Sequence, residues 1–411
     1  MRIRSITSFY DPRSQQADLD LKNLASLSEK FRKMVTTQFM PVLSTRLATI
    51  PFPYYLAGLT GGESLERVIA MEQAARALGW EYLSLGPALP DQPWSYPLIP
   101  QLLGVAEDIF CGAVISDEHH LYPSAVRASA KVIHDTATIS PDGFANLRFA
   151  ALANVNPGTP FLPAAYHQVG SPPSISLAVE CADVVLEAFD GSQDLEESRN
   201  WLLSQLERTA RDLSLVFESL AECTGVQFLG FDFSPAPFPE DWCSLGGAVE
   251  KLGLEHIGGS GSLGAVAIIA DTLDRGNWQR AGFNGMMLPV LEDSTLARRA
   301  EQNLLSVQDL MLYSTVCGTG LDTIPLSGET TVQQLECVLM DIGVLAVRLG
   351  KSLTARLMPL PGKVAGDRTD FDFAYFANSR VLPLDGQNIS PPLNRETSIN
   401  LVPRGIKTDN P

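Results

Sequence analysis

The chain has 411 residues, of which 45% are hydrophobic, so it can bury a large core as one α/β barrel or as two ordinary domains. Acidic residues exceed basic ones by 47 to 30, and the net charge of −17 argues against nucleic acid, because phosphate binding needs clustered Lys and Arg. No run approaches the roughly 18 apolar residues of a membrane span and no apolar leader opens the sequence, so we expect a soluble, cytoplasmic protein.

Helical periods alternate with short strand-like runs along most of the chain. Apolar residues spaced by three and four positions predict helices over 65–78, 202–220, 265–273 and 332–349. The strand-like runs that follow them are 81–85, 229–234, 285–290 and 353–360. This alternation predicts a sheet with helices packed outside it, either open or closed into a barrel.

The chain lacks a Pro/Gly/Ser-rich linker, which favours one domain over residues 1–384. Residues 385–411 contain four prolines and almost no apolar periodicity, so we expect an irregular tail. The sequence leaves open whether the protein forms a homo-oligomer.

The six cysteines lie far apart without a C-x-x-C pair, so neither a disulfide framework nor a zinc knuckle is predicted. Residues 117–120 read D-E-H-H, a string that could ligate a metal. Adjacent side chains point apart, however, and a solvated turn is the favoured interpretation.

The segment 143–180 carries side chains suited to binding. Its strand-like part contains Arg148 and Asn154, and the turn-rich loop that follows contains Tyr166 and His167. Arginine and asparagine can bind an anionic or polar ligand, and histidine exchanges protons near neutral pH. The alternative is a histidine that only hydrogen-bonds within its own loop.

Two aspartates follow or interrupt apolar runs. Asp232 lies between Phe231 and Phe233, where a carboxylate should meet a cation, a metal or several backbone N–H groups. A buried helix cap is the alternative. Asp322, in the stretch CGTGLDTIPLSGETT, has the same two interpretations.

Cys317 opens that glycine-rich stretch. A deprotonated thiol is an effective nucleophile, and glycines let the backbone approach a ligand closely. A small buried hydrophobic residue is the alternative, because no neighbouring base can be assigned from the sequence.

Gly259, Gly261 and Gly264 match G-x-G-x-x-G, a pattern typical of dinucleotide binding when it joins a strand to a helix. The segment before it is only marginally strand-like. A tightly packed, glycine-rich helix start is therefore the favoured interpretation.

Residues 352–381 combine an apolar run, a Pro-Gly turn, cations such as Lys363 and several carboxylates among aromatic rings. Charged loops that follow strands often carry active sites. The stretch therefore predicts where a functional site lies more clearly than it predicts which reaction occurs there.

Several of these segments carry a family resemblance, together with the N-terminal RIRSIT, TRLATIPFP, PGTPFLPAAYH and FDFSPAPFP. They resemble the uncharacterised DUF711 (UPF0210) family. That family is similar in fold to the ten-stranded α/β barrels of pyruvate formate-lyase and ribonucleotide reductase, with helices outside and a loop entering the barrel. The resemblance makes the Cys317 loop the entering loop. It does not extend to a glycyl radical, because Arg380 and Val381 are followed by Leu-Pro-Leu.

The sequence as a whole favours an enzyme that acts on a small anionic metabolite. The proposed catalytic residues are His167 as acid or base, Cys317 as nucleophile and Asp322. The proposed substrate-binding residues are Arg46, Arg148, Asn154, Arg356 and Lys363. Asp232 is a candidate ligand for a divalent metal.

A non-catalytic protein that senses a metabolite is the rival hypothesis, and a nucleotide-dependent oxidoreductase is a third. The enzyme hypothesis has a geometric consequence, which is that its site residues should share one cavity. The residues expected there are Arg148, His167, Asp232, Cys317, Asp322 and Lys363.

Overall fold

The structure, a computed structural model, describes residues 1–222, 224–386 and 388–404, so Cys223 lies outside it. The strands are β1 (Arg2–Tyr10), β2 (Thr45–Thr49), β3 (Tyr82–Ala88), β4 (Ile109–Ser116), β5 (His120–Leu121), β6 (Phe149–Ala153), β7 (Ser174–Glu180), β8 (Gln227–Asp232), β9 (Gly320–Ser327), β10 (Leu353–Leu360) and β11 (Ile399–Asn400).

The α-helices are α1 (Ala17–Gln38), α2 (Pro53–Leu56), α3 (Gly61–Ala77), α4 (Ile99–Gly104), α5 (Pro123–Thr136), α6 (Ala182–Phe189), α7 (Leu195–Ala221), α8 (Leu245–Lys251), α9 (Ser262–Asp274), α10 (Ser294–Glu301), α11 (Val307–Cys317) and α12 (Val332–Leu349). The four predicted helices are confirmed as α3, α7, α9 and α12.

One large mixed sheet organises the molecule, with the order β8-β7-β1-β2-β3-β4-β6-β10-β9. Strands β1, β2, β3, β4 and β6 run parallel to one another. At each side of this group the direction reverses, because β7 is antiparallel to β1 and β10 is antiparallel to β6. Each reversed strand has a parallel partner, β8 or β9. The predicted α/β class is therefore confirmed.

The two outer strands, β8 and β9, are both contacted by the segment 279–290. Single β-bridges join Phe231 to Arg280 and Pro289 to Asp322. The regular strand predicted over 285–290 is wrong. Asn284 adopts a left-handed conformation with φ of 48°, and Pro289 has no N–H to donate to a ladder. The apolar residues there are buried without forming a continuous strand.

Helices cover one face of the sheet. Helix α12 begins with a capping box between Thr331 and Gln334 and ends at Gly350, whose φ is +62°. Its buried side chains, among them Leu339 and Ile342, pack in the main core against β4, β6 and β10. Burying each such side chain stabilises the fold by about 1.5–3 kcal/mol.

The dinucleotide-binding interpretation of Gly259, Gly261 and Gly264 is wrong. Helix α8, and not a strand, precedes these glycines, so the strand–turn–helix unit that holds a pyrophosphate does not form. Gly259 and Gly261 lie in the turn that leads into α9, and Gly264 lies in the first turn of that helix.

The tail contains a short ordered contact, since β11 pairs with β5 in antiparallel fashion. Residues 387 and 405–411 of the predicted tail lie outside the described part. The D-E-H-H string forms the predicted turn, in which the Asp117 carboxylate accepts hydrogen bonds from the backbone N–H groups of His119 and His120. Among the residues that the structure describes, no helix combines the length and apolar character needed to cross a membrane.

Candidate functional site

A cavity of about 370 Å³ lies on the face of the sheet that the helices do not cover. One wall consists of residues near the starts of neighbouring strands: Arg4, Arg46, Tyr82, Phe110 and Ala150. The lining also contains Glu292, Asp322 and Arg356. The volume falls within the range of small-molecule sites.

The floor of the cavity is the segment 156–167, which crosses the inner face of the sheet. Small hydroxyl side chains on three strands donate to its backbone. Thr7 Oγ1 bonds the Pro160 carbonyl at 2.8 Å, and Ser84 Oγ bonds the Ala165 carbonyl at 2.7 Å. Ser176 of β7 makes a similar bond. Buried carbonyl groups need such donors, which explains polar residues on otherwise apolar strands.

The segment bound to this face of the sheet is 156–167, and the expectation that the Cys317 loop would lie there is wrong. Cys317 is the last residue of α11 and belongs to the main core on the helix side. Its neighbour Thr319 lines the cavity, whereas Cys317 does not. The Cys317 carbonyl instead accepts a hydrogen bond from Met286 N at 2.7 Å.

Two arginines of the cavity are neutralised by carboxylates. Arg356 contacts Glu292 at 2.9 Å and Asp322 at 2.5 Å. Arg4 pairs with Glu180 and reaches the second oxygen of Glu292 at 3.4 Å. These five side chains form one network that joins β1, β7, β9 and β10 to the segment before α10.

Arg46 lies in the same wall but differs in its partners. It is 8% exposed, its Nε donates to Ser44 Oγ at 3.1 Å, and its guanidinium lies 5.9 Å from the centre of the Tyr82 ring. Within the described residues it forms no ion pair. Burial, reinforced by the positive charge of Arg4, lowers the pKa of Arg46 to about 9. The remaining donors of Arg46 thus face the cavity without an acceptor.

Glu292 is the buried acid of the site. Burial raises its pKa above the ordinary value of 4.5, and this effect outweighs the attraction of Arg356 and Arg4. A carboxyl group with a raised pKa keeps its proton to a higher pH than an ordinary glutamate does, which suits a general acid or base. Glu292 is therefore the acid–base candidate that the structure adds.

Arg148 lines the cavity as predicted, but protein carbonyls occupy part of its guanidinium. Its Nη1 donates to Leu103 O at 2.8 Å and to Ala106 O at 2.6 Å. These contacts bind the end of α4 to β6, and burial lowers the pKa of Arg148. These hydrogen bonds indicate a structural role for Arg148, although part of its side chain also lines the cavity.

Two other predicted binding residues lie away from the cavity. Lys363 pairs with Asp370 at 3.2 Å and donates to the Arg368 carbonyl at 3.0 Å. Asn154 has a φ of 53°, and its carbonyl accepts from Ser352 Oγ at 2.6 Å. Lys363 therefore stabilises its own loop, Asn154 connects the end of β6 to the residue before β10, and neither side chain lines the cavity.

His167 is buried at the end of the floor segment and does not line the cavity. Its Nε2 lies 3.1 Å from the Ser171 carbonyl, so Nε2 carries the proton of the neutral ring. Burial lowers the pKa of His167. These contacts match the interpretation of a histidine bonded within its own loop.

Asp232 is also buried outside the cavity. It accepts hydrogen bonds from Ser234 N at 2.9 Å, Ser234 Oγ at 2.6 Å, Phe283 N at 2.7 Å and Asn284 N at 2.9 Å. Gly282 gives this carboxylate room, because a Cβ there would lie 2.2 Å from its Oδ2. The backbone N–H interpretation of Asp232 is thus confirmed. In the described part of the chain, no group of three or more His, Cys, Asp and Glu could hold a metal ion.

The stretch 352–381 reaches the cavity through its aromatic residues and Arg356. Phe373 and Tyr375 line it, and the Arg4 guanidinium lies 5.3 Å from the centre of the Tyr375 ring. Arg4, Glu180, Glu292 and Tyr375 were all missed by the sequence analysis. The one available signal was the alternation of Arg2 and Arg4, which places two cations on the same side of a strand.

Comparisons with known proteins match this chain to one family. A family model described as "Uncharacterised ACR (DUF711)" matches residues 1–378. The chain is 29% identical to a UPF0210 protein of Methanopyrus kandleri, over 80% of this chain and 76% of the relative. It is 27% identical to a UPF0210 protein of Carboxydothermus hydrogenoformans, over 92% of this chain and 85% of the relative.

Proposed function

This chain belongs to the DUF711 (UPF0210) family, and we propose that it is a cytoplasmic enzyme that acts on a small anionic metabolite in the cavity. The observation that carries the proposal is the Arg46 guanidinium, buried in the cavity wall without a carboxylate partner. Glu180 and Glu292 attract this buried charge without forming an ion pair with it, and an anionic ligand bound at Arg46 would compensate it more completely.

We further propose that the sheet closes into a barrel of the pyruvate formate-lyase-like type, with the cavity inside it. The segment 279–290 supports this proposal because it bridges to both outer strands, β8 and β9. The floor segment 156–167 would then be the loop that enters the barrel. The reaction would proceed without a glycyl radical, since Arg380 and Val381 lack the glycine that follows them in radical enzymes.

The proposed chemistry is proton transfer to or from the bound anion. Arg46 would hold a carboxylate, and Glu292 would donate or accept the proton. Asp322 and Arg356 would orient Glu292, because Arg356 contacts both carboxylates. Cys317 and His167 lie outside the cavity and have no part in this mechanism.

A non-catalytic metabolite-binding protein is the alternative. This alternative is favoured because Glu292 and Asp322 both form ion pairs with arginine, as carboxylates in a rigid binding site do. The two hypotheses share the ligand position and differ in whether the ligand is changed. Binding and turnover must therefore be measured separately.

Thermal-shift titration with carboxylates and phosphates tests the ligand position. A ligand at 100 times its Kd should stabilise the native protein by about 2.7 kcal/mol, and Arg46→Gln should abolish that response. Arg199→Gln is the matched control, because Arg199 is equally buried but bonds Thr272 far from the cavity. A response that survives in Arg46→Gln, or no response to any anion, would contradict the proposal.

Turnover is tested by incubating the protein with 2-oxo, hydroxy and amino acids in D₂O and following their signals by proton NMR. The enzyme hypothesis predicts that at least one acid exchanges a proton or is consumed by the native protein and not by Glu292→Gln. Ligand-induced stabilisation without any such change would favour the binding protein.

A further inference from the structure

We infer that the ligand of this cavity is a monocarboxylate with an apolar body, an inference that rests on the function proposed above. The first observation is the number of charges left without a partner. Arg4 and Arg356 share Glu180, Glu292 and Asp322, and only Arg46 among these arginines has no ion pair within the described residues. One guanidinium therefore matches one ligand carboxylate.

A second negative charge on the ligand would meet repulsion. Glu292 and Asp322 line the same cavity, and both carboxylates already share the guanidinium of Arg356. Arg148 does not offer a second anion site, because its Nη1 donates to three backbone carbonyls. The negative charges of Glu107 and Asp108 also act on it and would repel a second anion. Dicarboxylates and phosphate dianions are disfavoured on these grounds.

The rest of the cavity is apolar. The floor contributes Phe161 and Leu162, and the segment between β8 and β9 contributes Phe283 and Met287. Phe161, Phe283 and Met287 belong to one cluster of packed apolar side chains. A polar ligand body would lose its hydration there without gaining hydrogen bonds, whereas an apolar body gains by leaving water.

The orientation follows from Tyr82, whose ring connects the charged and apolar parts. Arg46 lies 5.9 Å from the centre of that ring, and the Phe110 ring packs edge-on against it at 5.6 Å. A carboxylate bound at Arg46 places the attached body along Tyr82 and Phe110. The cavity of about 370 Å³ holds on the order of a dozen atoms, at the ~30 Å³ that a water molecule occupies in the liquid.

Isothermal titration with four probes tests the inference. The probes are 3-phenylpropionate, its neutral amide, succinate and phenyl phosphate. We expect 3-phenylpropionate to bind at least about tenfold more tightly than each of the others, the affinity ratio that one well-placed charged contact provides.

Variants separate the two parts of the site. Arg46→Gln should weaken 3-phenylpropionate about tenfold or more and leave the amide unchanged, whereas Phe110→Ala should weaken both. Phe110→Leu, which retains an apolar side chain, keeps the second test valid if the alanine variant fails to fold. Arg199→Gln should bind all four probes as the native protein does.

The outcomes distinguish this inference from the function on which it rests. If succinate or phenyl phosphate bound more tightly than 3-phenylpropionate and this binding required Arg46, the monocarboxylate inference would be wrong. The proposed anion site at Arg46 would still be supported. Equal binding of 3-phenylpropionate and its amide would overturn the monocarboxylate inference as well. If no probe binds in an Arg46-dependent manner, the proposed function and this inference both fail.

Discussion

The same fold surrounds two buried charges in different ways. The Asp232 carboxylate receives four hydrogen bonds from Ser234, Phe283 and Asn284, so its acceptors are filled by the chain. The Arg46 guanidinium donates to one acceptor, the Ser44 hydroxyl, and its other donors face the cavity. A charge satisfied by its own chain organises that chain, whereas a charge left open at a cavity indicates a ligand.

The distinction also separates the two arginines of the cavity wall that lack carboxylate partners. Arg148 donates to the carbonyls of Leu103 and Ala106 and joins α4 to the sheet. Arg46 has no comparable bonds. Stability measurements should thus respond to Asp232 and Arg148, and ligand measurements to Arg46.

Asp232→Ala should produce the largest effect. It leaves the N–H groups of Ser234, Phe283 and Asn284 buried without an acceptor, so we expect a loss of about 3–5 kcal/mol in the free energy of unfolding. Denaturant unfolding measures it. Asp241→Ala, which changes an exposed carboxylate, should stay within about 0.5 kcal/mol and serves as control. If Asp232→Ala were as stable as the native protein, the hydrogen bonds to Asp232 would not stabilise the fold, and that side of the comparison would be wrong.

Arg148→Met should cost less, about 1.5–3 kcal/mol, because it keeps the apolar volume but removes charge-assisted hydrogen bonds to the end of α4. The same unfolding experiment measures this loss. An unchanged stability, together with a lost ligand response, would move Arg148 into the binding site alongside Arg46.

Arg46→Gln should change stability by less than about 1 kcal/mol. The variant loses the bond to Ser44, but it also removes a buried charge whose pKa burial has lowered to about 9. Either sign of so small a change is consistent with the account. A loss comparable with that of Asp232→Ala would mean that Arg46 supports the fold, and the contrast between the two charges would disappear.

His167 should give the smallest effect, and it should depend on pH. Because burial lowers its pKa below 6.5, its neutral form stabilises the fold above pH 6.5, and that contribution is lost as pH falls through the lower folded pKa. His167→Gln can keep the donor to the Ser171 carbonyl, so its stability should fall less than that of the native protein between pH 7 and pH 5.5. Parallel pH profiles would show that His167 does not titrate differently in the folded state.

Local patterns in the sequence predicted much of the fold. Apolar spacing located α3, α7, α9 and α12, and apolar runs located β3, β8 and β10. The pattern failed over 285–290, where the residues are apolar because they are buried and not because they form a strand. Burial leaves the same signal in both cases, so the conformation depends on Asn284 and Pro289.

The site was predicted in part. Arg46, Arg148, Asp322 and Arg356 line the cavity as expected of binding and catalytic residues. Arg4 and Glu292 were missed because 288 positions separate them, and no local spacing reports such a pairing. Cys317 was misplaced because a cysteine beside glycines looks alike at a loop tip and at the end of a helix. The roles assigned to these residues stay predictions.

One crystallographic measurement tests the central claim most directly. The native protein would be crystallised with 3-(4-bromophenyl)propionate, whose bromine is located by its anomalous signal. We predict a carboxylate about 2.7–2.9 Å from the Arg46 guanidinium and a bromine peak in the apolar part of the cavity, beside Phe161 and Met287. A bromine peak only outside the cavity, or a carboxylate bound elsewhere while Arg46 stays without an anion, would contradict the account.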